Sequence, residues 1–149
     1  MSESCSMCAA LEKERPLWQN DLWAVRHIEA PWGLAGWMQM VAKRHVTALA
    51  AMNDAESASF GPTLRWLEKT LLEVSGAERI YTAALGEAVP HLHVHMVPRY
   101  VTMPKGAKGW PVFDLQRAGK VGEIVVPSDR VEKISRAFAA ALSQPPRRR

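Results

Sequence analysis

The sequence predicts an α+β domain built on an antiparallel sheet. Short apolar stretches come in pairs separated by turn residues, as in hairpins. One long run carries apolar residues at helical spacing and lies outside those pairs, so the helices flank the sheet rather than alternate with its strands. At 149 residues the chain suits one domain with a substantial core.

The elements follow in order. Residues 9–15 form a short charged helix that stops at Pro16. Residues 21–28, with Leu22, Trp23, Val25 and Ile28, form a strand, and residues 29–35, with Pro31 and Gly33, a turn. Residues 36–43 return as the second strand of a hairpin. Residues 48–74 are helical, with Leu64, Leu67, Leu71 and Val74 on one stripe. Gly61 and Pro62 predict a kink or a fresh start there, and Gly76 caps the end. Residues 79–85 and 91–97 are strands joined by a turn at 86–90. Residues 102–122 are expected to be a long loop. Asp129 and Glu132 form a capping box for a last helix ending near Leu142. The domain spans residues 1–144, and residues 145–149 form a disordered basic tail.

Composition excludes several classes. The net charge is +4, and Arg147, Arg148 and Arg149 supply three of those charges. The body is nearly neutral, so no nucleic-acid partner is expected. No apolar run approaches the roughly 20 residues of a membrane span, and the first ten residues lack the order of a signal peptide. A cytoplasmic protein without a membrane partner is expected. The two cysteines, Cys5 and Cys8, have C-x-x-C spacing, which in a reducing compartment favours metal or redox work over a staple.

Chemistry concentrates at His91, His93 and His95. Side chains alternate along a strand, so these three imidazoles share a face. Such a row can bind a metal, a phosphate or a transferring phosphoryl group. A neutral imidazole attacks an anionic phosphorus without charge repulsion. Its neighbours can donate hydrogen bonds to charge as it builds.

The run of residues 91–97 resembles the H-φ-H-φ-H-φ-φ signature of the histidine triad (HIT) superfamily. Residues 36–46 (GWMQMVAKRHV), the segment Cys5-Ser6-Met7-Cys8 and Pro98-Arg99-Tyr100 resemble other parts of that family, in the expected order over roughly residues 5–100. The resemblance implies a HIT-like antiparallel sheet of about five strands with flanking helices, and a homodimer. It implies a nucleotide hydrolase or nucleotidyl transferase in which His93 attacks the α-phosphorus and water hydrolyses the nucleotidyl-histidine. His95 and His91 would serve the phosphate or the leaving group. Gly86, Glu87 and Ala88 would offer backbone N–H groups. Glu29 would meet the ribose hydroxyls, and Arg99, Lys43 and Arg44 the phosphate. A structural zinc at Cys5, Cys8, His45 and His91 is implied, with no cofactor needed for the chemistry.

Three departures qualify this. Ala42 replaces a proline, and Glu87 and Ala88 stand where many members carry glutamine and serine. Phosphoramidates and dinucleoside polyphosphates therefore both remain candidate substrates. A zinc-stabilised nucleotide-binding or interaction module with little turnover is the alternative. A metal-dependent hydrolase using the histidine row as ligands is a third.

Overall fold

Five strands form one antiparallel sheet, in the order β1-β2-β3-β5-β4, in the computed structural model of the chain, which describes residues 4–144. The strands are β1 (Trp18–Gln19), β2 (Trp23–His27), β3 (Met38–Ala42), β4 (Arg79–Ala83) and β5 (His93–Arg99). The helices are α1 (Ser6–Lys13), α2 (Asp54–Ser75), α3 (Asp114–Lys120) and α4 (Ser128–Leu142). The predicted class is correct, and the fifth strand is β1, whose two residues pair with Val25 and Ala24. So short a strand leaves no alternation to read. The basic tail lies outside the described residues.

Strand alternation sorts the side chains into two layers. Trp23, Val25, Met38, Met40, Val94 and Met96 pack on one face against Leu67 and Leu71 of α2 and Phe138 and Leu142 of α4. On the other face Ile28, Trp37 and Val97 pack against Met103, Ala107 and Val112 from the segment after β5. The register aligns Arg26 with Gln39 and Gln39 with His95, and sets His93 beside Val41.

The structure corrects several boundaries. α2 starts later than expected, because Asn53 caps it and Glu56 completes a capping box with Asn53. Residues Leu49–Ala51 form a separate turn of 3-10 helix. Pro62 does not restart the helix, which runs through it without interruption. It lies on the exposed side, while Leu67 and Leu71 hold α2 to the core on the other. Gly76 does end α2 in the left-handed conformation. The predicted Asp129–Glu132 capping box does not form. Pro127 precedes α4 with its φ already at −60°, and no side chain caps the helix.

The expected loop at residues 102–122 is the largest correction. It folds into two turns of 3-10 helix and α3. Its docking depends on two glycines. A Cβ on Gly119 would collide with the backbone of Trp32 and Gly33, and one on Gly33 with the Leu115 carbonyl. Backbones this close admit no side chain. Gly119→Val is expected to push α3 off the β2–β3 turn, costing about 3 kcal/mol and roughly 10 °C in Tm. Thermal melting checks this; a melt within 2 °C of wild type, as an order-of-magnitude threshold, would show that α3 docks some other way.

Candidate active site and metal cluster

His93 opens β5, and His91 lies just before that strand. The row of three imidazoles is therefore divided between two tasks. The His91 ring is fully buried, and its Nε2–H donates to the Ala42 carbonyl at 2.6 Å. That bond leaves Nδ1 as a lone pair, which faces Cys8 Sγ at 3.4 Å and Cys5 Sγ at 3.6 Å. Both nitrogens of His91 are thus engaged, and neither is free to meet a phosphate.

The cluster is completed by His45, whose Nδ1 lies 3.3 Å from Cys8 Sγ. The four ligand atoms of Cys5, Cys8, His45 and His91 all lie within 4.8 Å of one another. Tetrahedral zinc with thiolate and imidazole ligands separates its donor atoms by roughly 3.3–3.8 Å. The three sulfur–nitrogen distances fall in that range. The residues therefore fit a metal ion, and the bond from His91 to the Ala42 carbonyl is the outer-shell contact such a ligand uses. Cys5 also caps α1, its sulfur accepting the Cys8 N–H at 3.4 Å. Burial and the adjacent Cys5 push the Cys8 thiol up, which disfavours a bare thiolate there. Among the described residues this is the one group that could hold a metal, and of the histidine row only His91 belongs to it.

His93 is oriented by the backbone. Its Nδ1 sits 2.6 Å from the His91 carbonyl, which can only accept, so Nδ1 carries the proton and Nε2 holds the lone pair. His95 has the opposite tautomer. Trp37 Nε1–H donates to His95 Nδ1 at 2.9 Å, so the His95 proton is on Nε2. The two rings are 5.1 Å apart. Burial, then the neighbouring His93, push His95 down to about 4. His95 is therefore a neutral hydrogen-bond donor across the physiological range.

That shift carries a stability consequence. Between pH 6.5, the ordinary histidine value, and about 4, an unfolded chain protonates His95 while the folded one does not. Stability is thus fully present above 6.5 and is lost as pH falls through that window, by about 3 kcal/mol at this site. Denaturant titrations from pH 7 to 4 are expected to show the loss in wild type and a flatter profile in His95→Gln. Parallel profiles would refute the assignment.

His93 and His95 line a cavity of about 370 Å³. Gly86, Glu87, Ala88 and Glu29 are among the residues that line it. Glu29 faces Arg26, with a contact of 3.2 Å. Arg99 is not brought there; it sits at the far end of β5, 3.1 Å from Glu78. Lys43 and Arg44 are also outside the lining, and Arg44 is paired with the buried Glu56 at 2.7 Å. Sequence reasoning missed Arg26, Gln39, Phe113, Gln116 and Lys120. Gln39 had a legible signal, a polar residue inside an otherwise apolar strand, and Arg26 a weaker one, a charge just after three apolar strand residues. The three on or beside α3 had none, because that segment read as loop.

No helix among the described residues is long and apolar enough to cross a membrane. No family model matches the chain, and no curated protein matches it. Solved structures do. A HIT-like protein involved in cell-cycle regulation from Bartonella henselae matches at TM-score 0.67 with 15% identity, covering 95% of this chain and 98% of that one. A histidine triad protein from Bradyrhizobium japonicum matches at 0.68 with 20% identity, covering 89% and 93%. A zinc-bound histidine triad family protein from Mycobacterium smegmatis matches at 0.63 with 18% identity, covering 94% and 96%.

Proposed function

We propose, from the premise that this chain has the histidine triad fold, that it is a nucleotide hydrolase or nucleotidyl transferase acting through His93. The observation that carries the reading is the opposed pair of tautomers, a lone pair on His93 Nε2 beside a proton on His95 Nε2. His93 Nε2 attacks the α-phosphorus of a nucleoside phosphoramidate, a dinucleoside polyphosphate or a related nucleotide. The bond from phosphorus to the leaving group breaks, and its electron pair departs with that group. As positive charge develops on the His93 ring, its Nδ1–H bond to the His91 carbonyl strengthens. His95 donates a hydrogen bond to phosphoryl or leaving-group oxygen. Its low pKa makes it a donor rather than a proton source, because losing Nε2–H would create an imidazolate. The leaving atom takes its proton from water. A second water then attacks phosphorus and gives up a proton to solvent, which neutralises the hydroxide left by the first; the P–N bond breaks, and His93 recovers its lone pair.

In this reading the backbone of Gly86, Glu87 and Ala88 borders the phosphate and Glu29 the sugar. Arg99 is set aside because of its position. Cys5, Cys8, His45 and His91 hold a structural zinc, which ties α1 to the sheet and supplies no step. A cytoplasmic homodimer is the proposed setting, with sedimentation as its check.

Glu87 in the cavity wall favours a second reading, a zinc-stabilised nucleotide-binding module with little turnover. A carboxylate there repels phosphate if it turns inward. Intact-mass measurement after a rapid neutral quench, with adenylyl and guanylyl substrates, separates the two. A nucleotide adduct on wild type supports covalent transfer. Nucleotide binding with neither adduct nor turnover on any substrate leaves the binding module.

A further inference from the structure

Gln39 occupies the middle of β3 between the fully buried Met38 and Met40, and is itself only 6% exposed. A carboxamide in so apolar a strand calls for a full set of partners. It has one. Its Oε1 accepts from Arg26 Nη1 at 3.1 Å. Arginine can only donate, so the oxygen faces Arg26 and the NH2 group faces away. Arg26 cannot swing to permit the opposite orientation, because Glu14 grips it through Nε at 2.9 Å and Nη2 at 2.8 Å. Gln39 lines the His93–His95 cavity; its Nε2 has no protein partner among the described residues and, not being a buried atom, opens onto that cavity.

We propose that Gln39 is a substrate contact whose NH2 group reads an oxygen of the sugar attached to the scissile phosphate. The inference rests on the nucleotide reading above and deepens it. Arg26, Gln39 and His95 form one row across three adjacent strands. Strands lie about 4.8 Å apart, so the Gln39 donor is about one strand spacing from His95. The cavity continues in that direction to Arg26 and Glu29. A phosphorus within reach of His93 and His95 places the ester oxygen, the adjoining carbon and then the sugar over Gln39. Ring and hydroxyl oxygens of a sugar accept the bond that the NH2 group offers. An alkyl or aryl phosphate leaves that donor unpaired, so the site discriminates for sugar phosphates.

The test is an NMR titration of wild type, Gln39→Leu and Gln39→Glu with adenosine 5′-monophosphate, ribose 5-phosphate and inorganic phosphate. Thermal melts establish that each variant is folded. Gln39→Leu is expected to weaken the nucleotide and ribose 5-phosphate by about tenfold and inorganic phosphate by less than about twofold. Gln39→Glu keeps the Arg26 contact but replaces the donor with a second acceptor, and is expected to be weaker still on both sugar phosphates. Equal weakening of all three ligands, or none, would overturn the contact. If wild type binds the nucleotide and Gln39→Leu binds it equally well, Gln39 is wrong and the nucleotide reading stands. If wild type binds neither sugar phosphate, both fall together.

Discussion

Replacing His93 with alanine is expected to lower kcat by about 10⁴-fold or more while nucleotide affinity stays within about threefold. The reason is that no other imidazole or carboxylate at the site can take over. His95 carries its proton on Nε2 and has its Nδ1 lone pair occupied by Trp37. His91 donates through one nitrogen to the Ala42 carbonyl and turns the other to the cysteines. Glu87 and Glu29 are carboxylates, which the negatively charged oxygens around the phosphorus repel. The measurement is steady-state turnover on a substrate that wild type cleaves, with titration of the product nucleotide as the control for binding. A variant retaining a tenth of wild-type kcat, far above that order-of-magnitude expectation, would transfer the nucleophile's role elsewhere.

Removing the metal cluster is the second large effect. Cys8 touches both histidines of the set, so Cys8→Ser breaks the contacts with His45 and His91 together. Metal-free wild type is expected to gain roughly 10 °C or more in Tm when Zn²⁺ is added, and Cys8→Ser is expected to gain nothing. The coupling to chemistry runs through position. The ring of His91 belongs to the cluster, while its carbonyl orients His93. Losing the metal should therefore reduce activity only as far as the folded population or the His93 orientation is lost. Chelation that abolishes turnover in protein still fully folded, with the His93 tautomer intact by NMR, would instead revive a metal-dependent hydrolase. A stable wild type that is indifferent to zinc would leave the cluster as a packed thiol and imidazole group.

Much of this was legible in the sequence because its signals are local. The alternation of β2, β3 and β5, the apolar stripe of α2 and the left-handed stop at Gly76 depend on near neighbours in the chain. The spacing of His91, His93 and His95 marks the candidate site, and the cysteine pair with His45 and His91 announces the cluster that the fold assembles. The errors occurred where a distant partner overrides local preference. Pro62 reads as a kink or a fresh start, yet α2 runs through it in one piece, held by Leu67 and Leu71 on the opposite face. Residues 102–122 read as loop because they hold four glycines, two prolines and few apolar residues, and only the approach of Gly33 shows that Gly119 is what lets α3 dock.

The sequence by itself determined an α+β chain with a row of histidines on a strand, a pair of cysteines at ligand spacing and a helical stripe to cover the sheet. Only the tertiary structure decided how the histidines divide their work. A tautomer is set by the partner of each ring nitrogen, and those partners are the carbonyls of Ala42 and His91 and the indole of Trp37. Apart from the neighbouring His91, they reach the site across strand pairing. Register placed Arg26 and Gln39 beside His95, and close glycine packing brought α3 over the cavity. Hydrogen-bond direction and backbone approach are properties of three-dimensional neighbours, which a one-dimensional pattern of residue types does not contain.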